Sequence, residues 1–138
     1  MPTFDLSCLP CCAGDCCHSI FGATALFTIN SSDCATLPPG SVVLTFTGTE
    51  IVGPVTYYLY SGSYACSVGS MAVVAKIYCH AADVMTGFWT HNGQPTSCDF
   101  SETVCDPGGV TMTFGPCSLS GGTCSCALGA VVSGTIVL

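Results

Sequence analysis

Charge is what this chain has least of. Only 7% of its 138 residues are Asp, Glu, Lys or Arg, against about 25% in an ordinary globular domain. Lys76 is the sole basic residue, arginine is absent, and eight acids leave the chain at −7. Nucleic acid is not expected as a partner, because nothing here can displace counterions along a phosphate backbone. An anionic membrane surface is disfavoured for the same reason. Long apolar runs are missing as well. Hydrophobic residues make up 49% of the chain, yet no stretch approaches the roughly 18 apolar residues of a spanning helix, so no membrane span is expected. The opening MPTFDLSCLPCC carries neither the basic n-region nor the apolar h-region of a secretory signal. Either export uses an unusual route or the chain stays inside the cell.

Groups that do chemistry are scarce too. The histidines are His18, His80 and His91. Cys79 and His80 are sequence neighbours, so a strand would point them to opposite faces, which is wrong for a nucleophile and its base. His80 near Asp83 reads as a loop-end residue, and His91-Asn92-Gly93 as a hairpin turn. No carboxylate pair is placed for glycosidic cleavage and no glycine-rich phosphate loop occurs. Neither catalysis nor a cofactor is expected.

In place of charge the chain has 15 serines, 16 threonines and 16 glycines. A neutral hydroxylated surface suits a protein that packs against copies of itself, or one that engages or carries sugars. Asn30-Ser31-Ser32 is a glycosylation sequon, which makes Asn30 a candidate sugar attachment site.

Thirteen cysteines stand at Cys8, Cys11, Cys12, Cys16, Cys17, Cys34, Cys66, Cys79, Cys98, Cys105, Cys117, Cys124 and Cys126. Their spread from end to end reads as a disulfide framework and points to an oxidising, extracellular location. Because the number is odd, a monomer leaves at least one thiol over. The head CLPCCAGDCCH, residues 8–18, admits three readings. Adjacent cysteines cannot easily bond to one another, so each pair would staple two separate partners. A metal site would draw on Cys8, Cys11, Cys16 and His18. A thioredoxin-like redox centre would use Cys8-Leu-Pro-Cys11, but it needs a βαβ context that does not follow. The staple reading leads, since four metal ligands would leave the remaining cysteines unexplained. Connectivity is not fixed by sequence. Cys98 is expected to staple a neighbouring strand through Cys105 or Cys117, with Cys124 and Cys126 closing the following loop.

Beyond the head the pattern has a period of two. Segments 20–30, 41–48, 55–61, 70–79, 83–90, 97–105, 109–114 and 127–138 alternate, rich in Thr, Val, Tyr and Phe. LPPG (37–40), VGP (52–54), HNGQP (91–95) and DPGG (106–109) supply turn chemistry between them. Eight strands without an amphipathic helix read as an antiparallel sandwich or barrel. A β-sandwich of jelly-roll or Ig-like type is the expected fold, with residues 1–18 as a cysteine-rich N-terminal arm and residues 19–138 as a single domain. Trp89 is expected in the core. Alternation puts Tyr58 and Tyr60 on one side of their strand, which with Tyr57, Tyr64 and Tyr78 would make an aromatic platform for sugars or a subunit interface.

The head CLPCCAGDCC, the strand before Cys34, SVVLTFTG and SCDFSETVCDPGGVTMTFGPC together resemble small cysteine-rich β proteins of planctomycete-type bacteria. That group implies no defined activity. In composition the chain is similar to subunits of extracellular filaments. The leading expectation is a structural, self-assembling subunit of an extracellular filament, tube or surface layer, with copies of itself as partner. A secreted carbohydrate- or surface-binding module, with glycans as partner, is the second expectation, and a metal-binding protein using residues 8–18 the third. The apolar C-terminal stretch, residues 129–138, has two ways to bury itself: pairing within its own sheet, or strand addition to the next subunit. The arm, residues 1–18, offers the same choice, and it leads as the segment to be exchanged between subunits because its cysteines would lock the junction covalently.

Overall fold

β-Branched and aromatic residues in alternation, broken by Gly and Pro, give eight strands: β1 (Thr24–Ser32), β2 (Gly40–Val52), β3 (Val55–Cys66), β4 (Gly69–Ala81), β5 (Val84–His91), β6 (Ser97–Val104), β7 (Thr111–Cys117) and β8 (Val132–Val137). These come from a computed structural model, which describes residues 21–81, 84–104 and 109–138, with residues 80 and 81 through their backbone only. The arm, residues 1–18, lies outside the described residues.

Every strand is antiparallel to its neighbour in sequence, and β1 pairs with β8, so the sheet closes into a barrel. This corrects the expected sandwich. Alternate burial looks alike in sandwiches and barrels, and closure is what separates them. A sandwich needs connections that cross between sheets. Here each strand simply returns beside the one before it. Five of the ladders carry register shifts, and bulges of this kind bend and twist a sheet toward closure. Gly134 on β8 shows how tight that closure is. A Cβ there would run into the Thr28 carbonyl of β1 and the Phe114 ring, so only glycine lets β8 seat against β1.

One alternating set of side chains fills the interior. Phe27, Leu44, Tyr60, Val73, Ala75, Ile77, Trp89, Met112 and Ile136 are all fully buried. Phe27 stacks on Phe114 with centroids 5.3 Å apart and meets Trp89 edge-on at 4.9 Å. A small barrel of this strand number has an interior just wide enough to be filled by side chains, and aromatic packing fills it here.

The two ends differ. At one end the long β7–β8 connection folds across the barrel. Asn92, in the left-handed region at φ 53°, anchors it by donating from Nδ2 to the Thr123 carbonyl at 2.8 Å while Oδ1 accepts from the Ala72 amide at 2.9 Å. At the other end the chain enters β1. Phe21 stacks on Tyr58 with centroids 3.7 Å apart, and Tyr60 donates its hydroxyl to the Gly22 carbonyl at 2.9 Å.

Candidate functional site

With its interior occupied by its own side chains, the barrel has its outer wall left for recognition. That wall divides into two unlike halves.

The first half is formed by β7, β8, β1 and the start of β2. Its outward positions include Thr111 and Thr113, Thr135 and Val137, Leu26 and Thr28, and Ser41 and Val43. Register aligns them into rows. Leu26 lies opposite Val137 on one side and Val43 on the other, and Val137 lies opposite Thr111. Two residues along, Thr28 faces Thr135 and Ser41, and Thr135 faces Thr113. The hydroxyl row is bonded sideways: Thr28 to Ser41 at 2.8 Å and Thr113 to Ser101 of β6 at 3.1 Å. Leu26 is 42% exposed and Val43 57% exposed. No acidic or basic side chain stands on β7, β8, β1 or β2 as far as Thr49.

The second half, β3 to β6, carries aromatic rings and charge. Tyr57 meets Tyr78 edge-on at 5.0 Å and Phe88 at 6.1 Å. Leu59, Lys76, Phe88 and Asp99 form one cross-strand row. Lys76 pairs with Glu50 at 3.1 Å, both partly exposed, a pair of the surface kind that contributes about 0–1 kcal/mol. Burial pushes the Tyr78 hydroxyl pKa up, and the nearby Tyr57, Glu102 and Asp99 push it the same way, since negative neighbours oppose a phenolate.

Between the halves lies a seam. Among the described residues β6 and β7 share a single ladder pair, Phe100 with Phe114. Above it β7 bulges at Gly115-Pro116, where glycine takes φ 96° and proline offers no ladder donor. Beyond it the Cys98–Cys117 disulfide joins the two strands across a Cα separation of 5.8 Å. Beside this link lies an open notch of about 350 Å³ lined by Ser97, Asp99, Gly115, Pro116, Cys117 and Ser118.

The cysteine candidates separate clearly. Cys98 pairs with Cys117, one of the two partners expected. Cys124 and Cys126 do not simply close their own loop. They tie it to β3 through Cys66 and to the β1–β2 connection through Cys34. Cys79 is a thiol whose pKa burial raises to about 11, which keeps it protonated and a poor nucleophile near neutral pH. Cys8, Cys11, Cys12, Cys16, Cys17, Cys105 and His18 lie outside the described residues, and so does the whole alternative metal set. No cluster of three or more metal-ligating side chains occurs among the described residues. Asn30 is exposed on β1.

The tyrosine platform divides. Tyr58 and Tyr60 share a face as alternation requires, but it is the inward one. Tyr60 is fully buried, Tyr64 nearly so, and burial pushes the Tyr60 hydroxyl to about 12. Only Tyr57 and Tyr78 of the five face outward, beside Phe88. Trp89 is core as expected, and its indole N–H has no hydrogen-bond partner among the described residues. His91 sits at the expected turn, but its ring is buried and Nε2 donates to the Ser120 carbonyl at 3.2 Å. Sequence reasoning missed the Leu26–Val43–Val137 row and the Phe88–Asp99 neighbourhood. Alternation signals each outward residue, but which strands lie side by side follows only from closure.

The described residues include no helix long and apolar enough to cross a membrane. No family model matches the chain, and no curated protein or solved structure is significantly similar to it.

Proposed function

We propose that the chain is a structural protein of the cell exterior that assembles with copies of itself into a filament, tube or surface layer. The contact face is the uncharged wall of β7, β8, β1 and β2. The observation that carries this reading is the row formed by exposed Leu26 and Val43 with half-buried Val137, on a wall without charge, in a molecule at −7. Copies with that net charge repel one another, least of all where no charge stands. The row offers apolar area for burial at roughly 25 cal/mol per Å², and the neighbouring hydroxyls supply uncharged hydrogen-bonding groups around it. The three disulfides among the described residues are compatible with an oxidising environment. β8 is a full barrel member, paired with β1 and β7. Its ladder groups are used internally, so of the two burial schemes for the C-terminal stretch it takes the first. A contact between unlike patches of this wall would repeat without closing, as filament growth requires.

Sedimentation velocity and negative-stain electron microscopy of the oxidised chain test the proposal. Concentration-dependent polymers are the expected result. A monodisperse monomer at every concentration and ionic strength would rule the assembly out.

A further inference from the structure

The seam notch has a chemistry of its own. Its rim carries the Asp99 carboxylate and the hydroxyls of Ser97 and Ser118, and Gly115, Pro116 and Cys117 complete its lining. Asp99 lies directly opposite Phe88 across the β5–β6 ladder, and Ser97 lies opposite Thr90. Phe88 in turn continues into Tyr57 and Tyr78. A carboxylate accepts two donors at once, serine hydroxyls both donate and accept, and a half-buried aromatic ring beside them offers an apolar face. None of its lining side chains is basic. Its volume of about 350 Å³ sits at the small end of the range for ligand sites, roughly 300–1,000 Å³, so it suits one ring rather than a nucleotide.

We propose that the notch and the adjoining Phe88 face bind a neutral pyranose, a terminal sugar of a glycan. Adjacent hydroxyls of the ring donate to Asp99, another exchanges hydrogen bonds with Ser97 and Ser118, and the ring's C–H face lies on Phe88 or Pro116. Strand β6 and the Cys98–Cys117 disulfide hold these groups on a rigid frame, which limits the ordering cost of binding. The notch borders the proposed assembly wall, since Gly115, Pro116 and Cys117 end β7, but its carboxylate and ring stand on β6 and β5 and the inference does not rest on assembly.

The test is ¹H–¹⁵N NMR titration of the intact, oxidised chain with methyl glucoside, galactoside, mannoside and xyloside and with N-acetylglucosamine. Putrescine serves as a cationic probe and sorbitol as an acyclic polyol. The expected result is saturable shifts at Ser97, Asp99, Cys117, Ser118 and Phe88 with at least one pyranoside, and weaker or no response to sorbitol. Asp99→Asn, isosteric and exposed, should weaken that midpoint by about tenfold. Phe88→Ala should weaken it while the Asp99 shifts remain, and unchanged near-UV circular dichroism would show both variants folded. No saturable response to any pyranoside would overturn the assignment. So would a response to putrescine alone, shifts centred outside the notch, or an Asp99→Asn variant that binds normally.

Discussion

The two halves of the barrel wall are built from the same alternation and differ in what the outward positions carry. From β7 through the start of β2, as far as Thr49, those positions are mainly Thr, Ser, Val and Leu, with no charge. From β3 through β6 they include Tyr57, Tyr78, Phe88, Lys76, Asp99 and Glu102. Strand pairing is indifferent to the distinction, because each ladder is held by backbone groups and the shared core. The difference therefore bears on what each wall meets. A wall without charge suits a like-charged copy, and a wall with rings and carboxylates suits a ligand rich in hydrogen-bond donors.

The largest expected effect comes from placing charge on the uncharged half. Leu26→Glu or Val43→Glu sits on an exposed position and leaves the interior untouched, so the barrel should fold with stability within about 0.5 kcal/mol of the parent. Assembly should be lost at the concentrations where the parent polymerises, as read by sedimentation. The matched change on the other half, Val74→Glu, should leave assembly intact. Loss with all three would mean that the contact is not confined to the wall proposed.

The seam between the halves gives the next effect. Replacing Cys98 and Cys117 by alanine removes a crosslink that spans 19 residues, which should lower stability by about 3 kcal/mol through the unfolded chain. Urea denaturation with the remaining disulfides intact measures this. Because the disulfide forms part of the notch, pyranoside binding should fall in the same variant.

The core behind both halves sets the alkaline limit. Tyr60 ionises at about 12 in the barrel and near 10 in the unfolded chain. Its neutral form is favoured by folding, so its contribution is complete below about pH 10 and is lost as pH rises toward 12. Tyrosinate absorbance should show Tyr60 ionising last among the tyrosines, together with loss of the near-UV circular dichroism of the core. The smallest effect belongs to the exposed Lys76–Glu50 pair. Lys76→Met should change stability by less than about 1 kcal/mol in urea denaturation, and by less still at high salt.

Much of this architecture is legible in the sequence, for identifiable reasons. Met71, Val73, Ala75 and Ile77 announce the buried face of β4, and all four are fully buried. The turn residues place the hairpins, as Gly53 at φ 60° between β2 and β3 illustrates. Closure is not legible in this way, because it depends on bulges and on Gly134 fitting against Thr28, a contact between residues far apart in sequence. The error over Tyr58 and Tyr60 has a related cause. Alternation tells which residues share a face, but not which face turns inward when both are aromatic. The disulfides behave likewise. Cys98 and Cys117 sit on strands adjacent in sequence, whereas Cys34 and Cys126, 92 residues apart, meet only because the β7–β8 connection crosses the end of the barrel.

The central claim is that copies meet through the β7–β8–β1–β2 wall. Methyl NMR of the assembled chain in the presence of a soluble paramagnetic chelate tests it most directly, because the chelate broadens whatever faces solvent. The expected result is that Leu26 and Val43 methyls, open to the chelate in the monomer, become shielded on assembly while Val74 keeps the accessibility it had before. Shielding of Val74 with Leu26 and Val43 left open would contradict the claim.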